Sequence, residues 1–548
     1  MATFDEVGKR MEVPKKVVTI IRSALSVILI PVSLWWLISA LYQNVLSGFI
    51  QELETGSRVP LAIALFILLF GTLFLCVSNF RKCLLRCIKT VLNKKWYLFG
   101  FMVISQIAVW LSFGAVNMGA DQENIRLSSI DPHLFSDYLS RCSNNVFITF
   151  IYWLVRCLVP ASWPESCVTM SMQFLNILAL DGSIVLLYCA LKKVSSRLAD
   201  TAFVLFIMLF GFSGYIIIVY TDILSLPFTV VAISIGIDLL KTKRHLWCSI
   251  CEFFVLGVVL YFGYQMKASS IIPCLCFLGC ILLFSLRRVD IKKVVCCGCS
   301  LLIGIVCALS VFGLSINVLM KLNYDPEQSY PMSHFAVMGM IDRGGFNPEE
   351  RSAVSQFETK EEKDEYSKSR IKSELSNYGF VGYFDFLLRK SAYTLEDGTF
   401  SFGEWDSCFS FENKSDGLSS LRDSGVAALI RDFYTPDNYK YGFLHFTEQI
   451  VYIFMVIGIL FGAIFLFAKK EVDVEFGGVE SLWFLLSLLG AVAFLMLFES
   501  GRGKYLIQFL PMFVTFASSG LVKLWGCVFS LVATDKGKHL ESEHAGKI

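Results

Sequence analysis

Six charged side chains stand where an apolar chain of 548 residues can least spare them. Glu499, Arg502 and Lys504 fall in "LFESGRGKYLIQFLP", between two runs that each read as long enough to cross a bilayer. Lys267 interrupts "YFGYQMKASSIIP", Asp222 lies in "VYTDILSLPF", and Asp121 follows an apolar run in "NMGADQENIR". Arg offers a planar fork and Lys a point charge, so three cations at one depth suit a phosphate group. A carboxylate beside them can take the proton of an incoming hydroxyl. Together they fit transfer from a lipid-held phosphate donor to an alcohol. Each residue also has a plainer reading. Arg502 and Lys504 could be loop charges that snorkel to headgroups, Asp121 and Asp222 helix N-caps, and Lys267 the structural partner of an acid. Their expected placement on one face favours the chemical reading.

The elements that must position them are set by composition. Hydrophobic residues make up 55% of the chain and charged residues 17%, and the mean hydropathy is +0.61, which marks an all-α polytopic membrane protein. Apolar stretches of about 20 residues, the length a helix needs to cross the hydrocarbon, are expected at 23–42, 60–78, 96–115, 168–190, 201–220, 223–240, 248–266, 270–286, 294–318, 445–468, 479–498 and 505–532. The start "MATFDEVGKRMEVPKK" leads into a run too long for a signal peptide and has no small-residue cleavage site, so the first helix is expected to remain as an anchor. The net charge of +2 is spread over short loops and implies no nucleic-acid partner.

Positive charge favours the cytoplasmic side of short loops. "RKCLLRCIKTVLNKK" (81–95), "KKVSSR" (192–197), "KTKR" (241–244), "RRVDIKK" (287–293) and "KK" (469–470) fall on one side with the N-terminal basic residues. The opposite short connections hold only Arg58, Lys267, Arg502 and Lys504. Twelve helices in a cell membrane, both termini cytoplasmic, satisfy the rule and put the charged cluster on the extracytoplasmic face. "NNVFITFIYWLVRCLVP" (144–160) would invert every later basic loop if it crossed. It is short, carries Arg156, and reads as an amphipathic helix along the outer membrane face. The chain divides into a two-helix addition with a basic loop (1–95), a transmembrane core (96–318) with its first outer loop at 116–167, an extracytoplasmic loop domain (319–444), and C-terminal helices with a cytoplasmic tail (445–548). In the loop domain "SQFETKEEKDEYSKSRIKSEL" has a capping Ser or Thr and Glu/Lys pairs three to four apart, as a solvated helix would.

Most of the 18 Cys lie inside apolar runs, where Cys acts as a small hydrophobe. "CCGC" (Cys296, Cys297, Cys299) lacks a second ligand pair for a zinc site, and Cys142, Cys157, Cys167 and Cys408 leave a disulfide open. The acidic "KKEVDVEF" (469–476) falls on the cytoplasmic side, and no Gly-Lys-Ser/Thr phosphate loop occurs. No metal or cofactor is required by these residues, though a divalent metal is not excluded. A nucleotide donor is disfavoured against a lipid carrier.

The order of motifs resembles the GT-C integral-membrane glycosyltransferases, above all the protein-mannosyltransferase-like members that Gram-positive bacteria use on cell-surface polymers. "SRCSNN" (140–145) is similar to that family's Arg-x-Pro-Asn-Asn stretch, with Ser143 where Pro is usual. "GRGKYLIQFLP" is similar to its Arg-Tyr-Leu-x-x-x-x-Pro ending, with Lys504 where Arg is usual. "PMSHFAVMGMIDRGGFNPEE" and "RKSAYTLEDGTF" look like a bacterial subfamily's Pro-Met-x-His…Met-Gly and Asp-Gly-Thr stretches. The likeness runs from about residue 96 onward. It implies a GT-C-like bundle of about twelve helices with juxtamembrane helices on the outer face, and a polyprenyl-phosphate-linked sugar as donor. The implied acceptor is a hydroxyl of a cell-surface glycan, teichoic acid or protein, attacked with inversion. Asp121 would be the catalytic base, and Arg502, Lys504 and Lys267 would hold the departing phosphate. Arg141, Asn144, His334, Asp397, Asp222, Glu499 and Tyr505 would be weaker substrate contacts.

Two other classes stay open: a cell-envelope polysaccharide ligase or polymerase, and a lipid or solute transporter. Transporters tend to show duplicated halves and charges at the bilayer midplane. Here no duplicated halves are found and the charges sit at helix ends. A non-catalytic scaffold would be indifferent to loss of the Asp121 charge. The sugar, the acceptor and the oligomeric state are not written in the motifs.

Overall fold

The computed structural model describes residues 15–42, 58–241, 245–285, 291–404, 410–412, 418–468 and 478–545. The N-terminal basic residues, most of "KTKR" and "RRVDIKK", the 469–476 segment and Cys408 lie outside them. In chain order the helices are α1 (Lys15–Leu41), α2 (Arg58–Cys76), α3 (Ser78–Asn93), α4 (Lys95–Phe113), α5 (Ala120–Ile130), α6 (Ser136–Arg141), α7 (Val146–Leu158), α8 (Glu165–Lys192), α9 (Ser196–Phe206), α10 (Thr221–Lys241), α11 (Leu246–Met266), α12 (Ile272–Ser285) and α13 (Ile291–Leu314). Then come α14 (Met332–Met338), α15 (Pro348–Val354), α16 (Lys360–Leu395), α17 (Ser419–Arg422), α18 (Gly425–Tyr434), α19 (Tyr441–Phe467), α20 (Val479–Leu497) and α21 (Leu510–Ala545).

Among the described residues nine helices are long and apolar enough to cross a membrane, or ten if the bent pair α2–α3 is one span. Twelve crossings were expected, and three of them are not among the nine. α2 turns by 109° at Val77 into the basic helix α3. α12 is described only as far as Ser285, where the described residues stop. The 201–220 stretch is not one helix: α9 passes into a single π turn (Ile207–Gly211) and then a 3-10 turn (Gly214–Ile217). Such a break leaves carbonyls that lipid cannot satisfy. α8 supplies the donors: Gln173 Nε2 to Ile217 O at 3.0 Å, and Asn176 Nδ2 to the oxygens of Tyr215, Ile216 and Ile218 at 3.1–3.2 Å.

The first part of α21 is the most enclosed span, packed among α19, α9 and α20, with Trp36 of α1 edge-on to Phe513 at 5.2 Å. α13 lies at the rim and turns Leu302, Ile303, Val306 and Leu309 outward, as a lipid-facing helix must. One end of the bundle is basic, and ion pairs knit it: Lys95–Asp200 at 3.0 Å, Lys193–Asp238 at 2.6 Å and Lys241–Glu480 at 2.9 Å.

The segments 114–164 and 319–440 gather at the other end. The 144–160 stretch forms α7, 13 residues long and too short to cross; it buries Val146, Phe147, Ile148, Thr149 and Tyr152, and its Arg156 pairs with Glu165. In the 319–444 domain α16 opens with the capping box its sequence suggests: Thr359 accepts from Glu362 N and Glu362 accepts from Thr359 N. A short antiparallel ladder joins β1 (Ala115–Asn117) to β2 (Ser410–Glu412), which ties the segment before Asp121 to that domain. Among the described residues Cys142, Cys157, Cys167 and the "CCGC" cysteines form no disulfide.

Candidate functional site

Two 3-10 turns meet the start of α10 at the end of the bundle opposite the basic loops, and each of the three brings a charge. Gly214–Ile217 leads to Asp222 in the first turn of α10; Lys267 caps Ala268–Ile271; Lys504 lies within Gly503–Phe509. Polar side chains pin the last two together. Ser269 Oγ donates to Gln508 Oε1 at 2.7 Å, and Thr229 Oγ1 reaches Ser270 O and Gln508 O at 3.4 Å.

Lys267 forms an ion pair with the buried Asp222. Neither Asp222 nor Asp121 acts as an N-cap, so their capping readings fall. Lys267 Nζ also stands 5.1 Å from the ring centre of Tyr505. Lys504, 9% exposed, has its Nζ 5.3 Å from the Tyr505 ring and 5.6 Å from that of Tyr220. The charges of Asp222, Arg502, Lys267 and Glu499 all act on it. Tyr220 in turn donates to Asp121 Oδ2 at 3.4 Å. A continuous line of contacts therefore runs Asp121, Tyr220, Lys504, Tyr505, Lys267, Asp222.

Asp121 enters this line through a strained turn. Gly119 and Ala120 both have left-handed φ, +66° and +47°, and for Ala that costs on the order of 1 kcal/mol or more. The carboxylate accepts from Tyr138 at 2.9 Å, and Asn145 Nδ2 donates to the Tyr138 oxygen at 2.7 Å. Burial and the Asp121 charge push the Tyr138 phenol well above its ordinary range, so it stays a donor. The base of the turn is fixed by Glu123, which takes Asn117 Nδ2 at 2.7 Å and the Arg126 fork; that fork holds its carboxyl below the usual value.

The other expected residues take different places. Arg502 pairs with Glu404 at 3.2 Å, and Glu404 also accepts from Tyr393 at 2.6 Å. Glu499 accepts from Tyr505 at 2.8 Å. Asp397 is engaged by its own loop: it accepts from Thr399 N and Oγ1 and from Ser401 N, all within 2.8–2.9 Å. Ser401 Oγ then accepts from Gly503 N at 2.8 Å, so Asp397 shapes the support under Lys504. Arg141 and Asn144 are exposed; their side chains donate to Asp137 O and Asn145 Oδ1. His334 is fully buried on Tyr330, and burial with the nearby Arg351 and Lys363 charges pushes it down to about 4.

A family model described as a conserved hypothetical integral membrane protein matches residues 15–522, from the start of α1 into α21. The chain belongs to this integral membrane family. No curated protein and no solved structure matches it. Every residue of the line from Asp121 to Lys504 falls inside the segment the family match covers.

Several partners were not read from the family member's sequence. Asn145 and Tyr220 lie inside stretches that were singled out and Tyr138 three positions before Arg141, so adjacency was the available signal. Lys390 lies inside "RKSAYTLEDGTF" without being named, and Glu404 gave no signal. Lys390, fully buried, donates to Gly339 O, Met496 O and Phe498 O at 2.7–2.9 Å and so closes the end of α20 beneath Glu499. Burial pushes it down to about 7, with the Glu499 charge opposing. Among the described residues no three His, Cys, Asp or Glu side chains converge to hold a metal ion.

Proposed function

We propose that the protein is a glycosyltransferase that moves a single sugar from a polyprenyl-phosphate carrier to an acceptor hydroxyl, on the face of the membrane away from its basic loops. The observation that carries this reading is the shared Tyr220: its hydroxyl donates to the Asp121 carboxylate while its ring flanks the Lys504 ammonium. A base and a phosphate-type cation thus stand in one neighbourhood at one end of the bundle. In the reaction, Asp121 takes the acceptor's hydroxyl proton as that oxygen bonds to the anomeric carbon. The bond from that carbon to the phosphate oxygen breaks, and its electron pair leaves on the polyprenyl phosphate. Lys504 is the cation closest to this exchange, with Lys267 and Arg502 adding positive field while partly balanced by Asp222 and Glu404. The GT-C-like bundle of twelve helices, the extracytoplasmic side of the site and the cell-envelope acceptor belong to the same proposal.

The test is the purified protein in lipid nanodiscs with a panel of polyprenyl-phosphate sugars, scored for released polyprenyl phosphate. Asp121→Asn keeps the shape and can still bond both tyrosines. Turnover should fall by about 10²–10⁴, the usual worth of a general base, with donor affinity unchanged. Movement of intact donor across the bilayer without cleavage would sink the reading in favour of a transporter.

A further inference from the structure

The 319–444 domain carries a second group of cations, separate from Lys267, Arg502 and Lys504. Tyr330 and His334 stack with ring centres 4.8 Å apart. The Arg351 guanidinium lies 5.8 Å and the Lys363 ammonium 5.6 Å from the Tyr330 ring centre. Arg351 also reaches Cys142 Sγ at 3.6 Å, and Tyr330 N donates to Arg141 O at 3.1 Å, which brings Arg141 to the same edge. The charges of Asp121, Arg351 and Arg141 all act on the Cys142 thiol, so this group borders the carboxylate of the first site.

Among the described residues none of these cations is in an ion pair, though the charges of Asp325 and Glu362 act on Lys363 and that of Asp121 on Arg351. Elsewhere in the domain Lys368 pairs with Asp364 at 2.6 Å, Arg370 with Glu374 at 3.0 Å, Arg389 with Asp385 at 3.0 Å and Lys440 with Asp432 at 2.7 Å. Among the described residues Arg141, Arg351 and Lys363 have no carboxylate within ion-pair distance; Arg141 and Lys363 donate to backbone carbonyls instead. His334 is 0% exposed, and neither ring nitrogen has a hydrogen-bond partner among the described residues. A buried imidazole without partners costs free energy that a bound anion with several acceptor oxygens would recover.

We propose that Arg141, Arg351, Lys363 and His334 form a second anion site, beside Asp121, that takes a phosphodiester group. Guanidinium forks suit its non-bridging oxygens, and a neutral imidazole adds one donor. Such a group can come from a phosphodiester-linked acceptor polymer or from a phospholipid headgroup. Its assignment to the acceptor rests on the transferase reading; the anion site itself does not.

The experiment is a direct binding titration of the full chain in phosphatidylcholine nanodiscs with a short, labelled glycerol-phosphate oligomer. Arg351→Gln and Arg141→Gln should each weaken binding about tenfold or more, and raised salt should do the same to the wild type. Arg141 is exposed with a single backbone contact, so its variant folds even if Arg351→Gln does not. If the headgroup is the natural source, the oligomer fails to bind, yet phosphatidylglycerol in the disc raises the thermal midpoint of the wild type and not of Arg141→Gln. Failure of both probes, or equal binding to wild type and both variants, overturns the site. Binding is read without turnover. A wild type that binds the oligomer but never cleaves a donor removes the transferase reading alone, and the reverse pattern removes this site alone.

Discussion

Gly501→Ala is a direct probe of whether the Arg502–Lys504 turn is a built element or a passing loop. A Cβ at 501 would lie 2.6 Å from Arg343 O and 2.7 Å from Gly345 N, and the residue has φ +47°. Both neighbours are backbone, and Ser500 N is bonded to Gly344 O at 2.9 Å, so neither strand can swing away. The left-handed φ costs ~1–2 kcal/mol for a non-glycine residue, and overpacking adds ~1–3 kcal/mol. About 2–5 kcal/mol is a large share of an ordinary stability. Gly503 has its closest neighbour, Phe400 Cα, at 3.0 Å and no left-handed φ, so Gly503→Ala should cost only ~1 kcal/mol. Gly425, at the start of α18 with nothing within 4 Å of its Cβ position, is the neutral control. Thermal unfolding in detergent, followed by tryptophan fluorescence, should rank the midpoints Gly425→Ala, Gly503→Ala, Gly501→Ala from highest to lowest. Donor-lipid affinity should fall in the same order. If Gly501→Ala matches the Gly425 control in both measurements, the clamp by residues 343–345 is not what holds the site.

Two further outcomes follow from buried charge. Asp222→Asn strands the Lys267 ammonium and should destabilise by ~3–5 kcal/mol; adding Lys267→Met should restore part of that loss, so a double-mutant cycle by thermal unfolding that shows simple additivity would refute the pairing. Lys390 has a folded pKa of about 7 against an ordinary 10.5. Folding therefore disfavours its charged form: the penalty is full below pH 7 and fades as pH rises toward 10.5. The wild-type midpoint should climb relative to Lys390→Met between pH 7 and about 9, and parallel pH profiles would contradict this.

How much of the molecule was legible depends on the range of the forces involved. Hydropathy marked helical segments along the whole chain because a bilayer leaves the backbone little choice. It also marked 201–220 as a helix, and there it failed. That stretch is as apolar as its neighbours, and its break is sustained by Gln173 and Asn176, some forty residues earlier, donating to its carbonyls. Charge position along the chain placed Asp121, Asp222, Lys267 and Lys504 at one end, since alternating helix ends follow from counting spans. Charge pairing was not legible in the same way. Nothing in "FGEW" announces that Glu404 will meet Arg502 across a hundred residues, and nothing in "LLRKSA" that Lys390 will close α20.

The tyrosines make the same point from the other direction. Tyr220 was not singled out and Tyr505 only as a weaker substrate contact, yet they stand between Lys504 and the groups around it, Asp121, Glu499 and Lys267. Each ring offers a cation its negative face, and each hydroxyl offers a carboxylate a donor. That lets opposite charges share a buried region. Lys504 lies over both rings and reaches Asp121 through Tyr220, so loss of its charge should cost donor affinity more than loss of the Lys267 charge, and Lys504→Gln compared with Lys267→Gln in a donor-binding titration decides it.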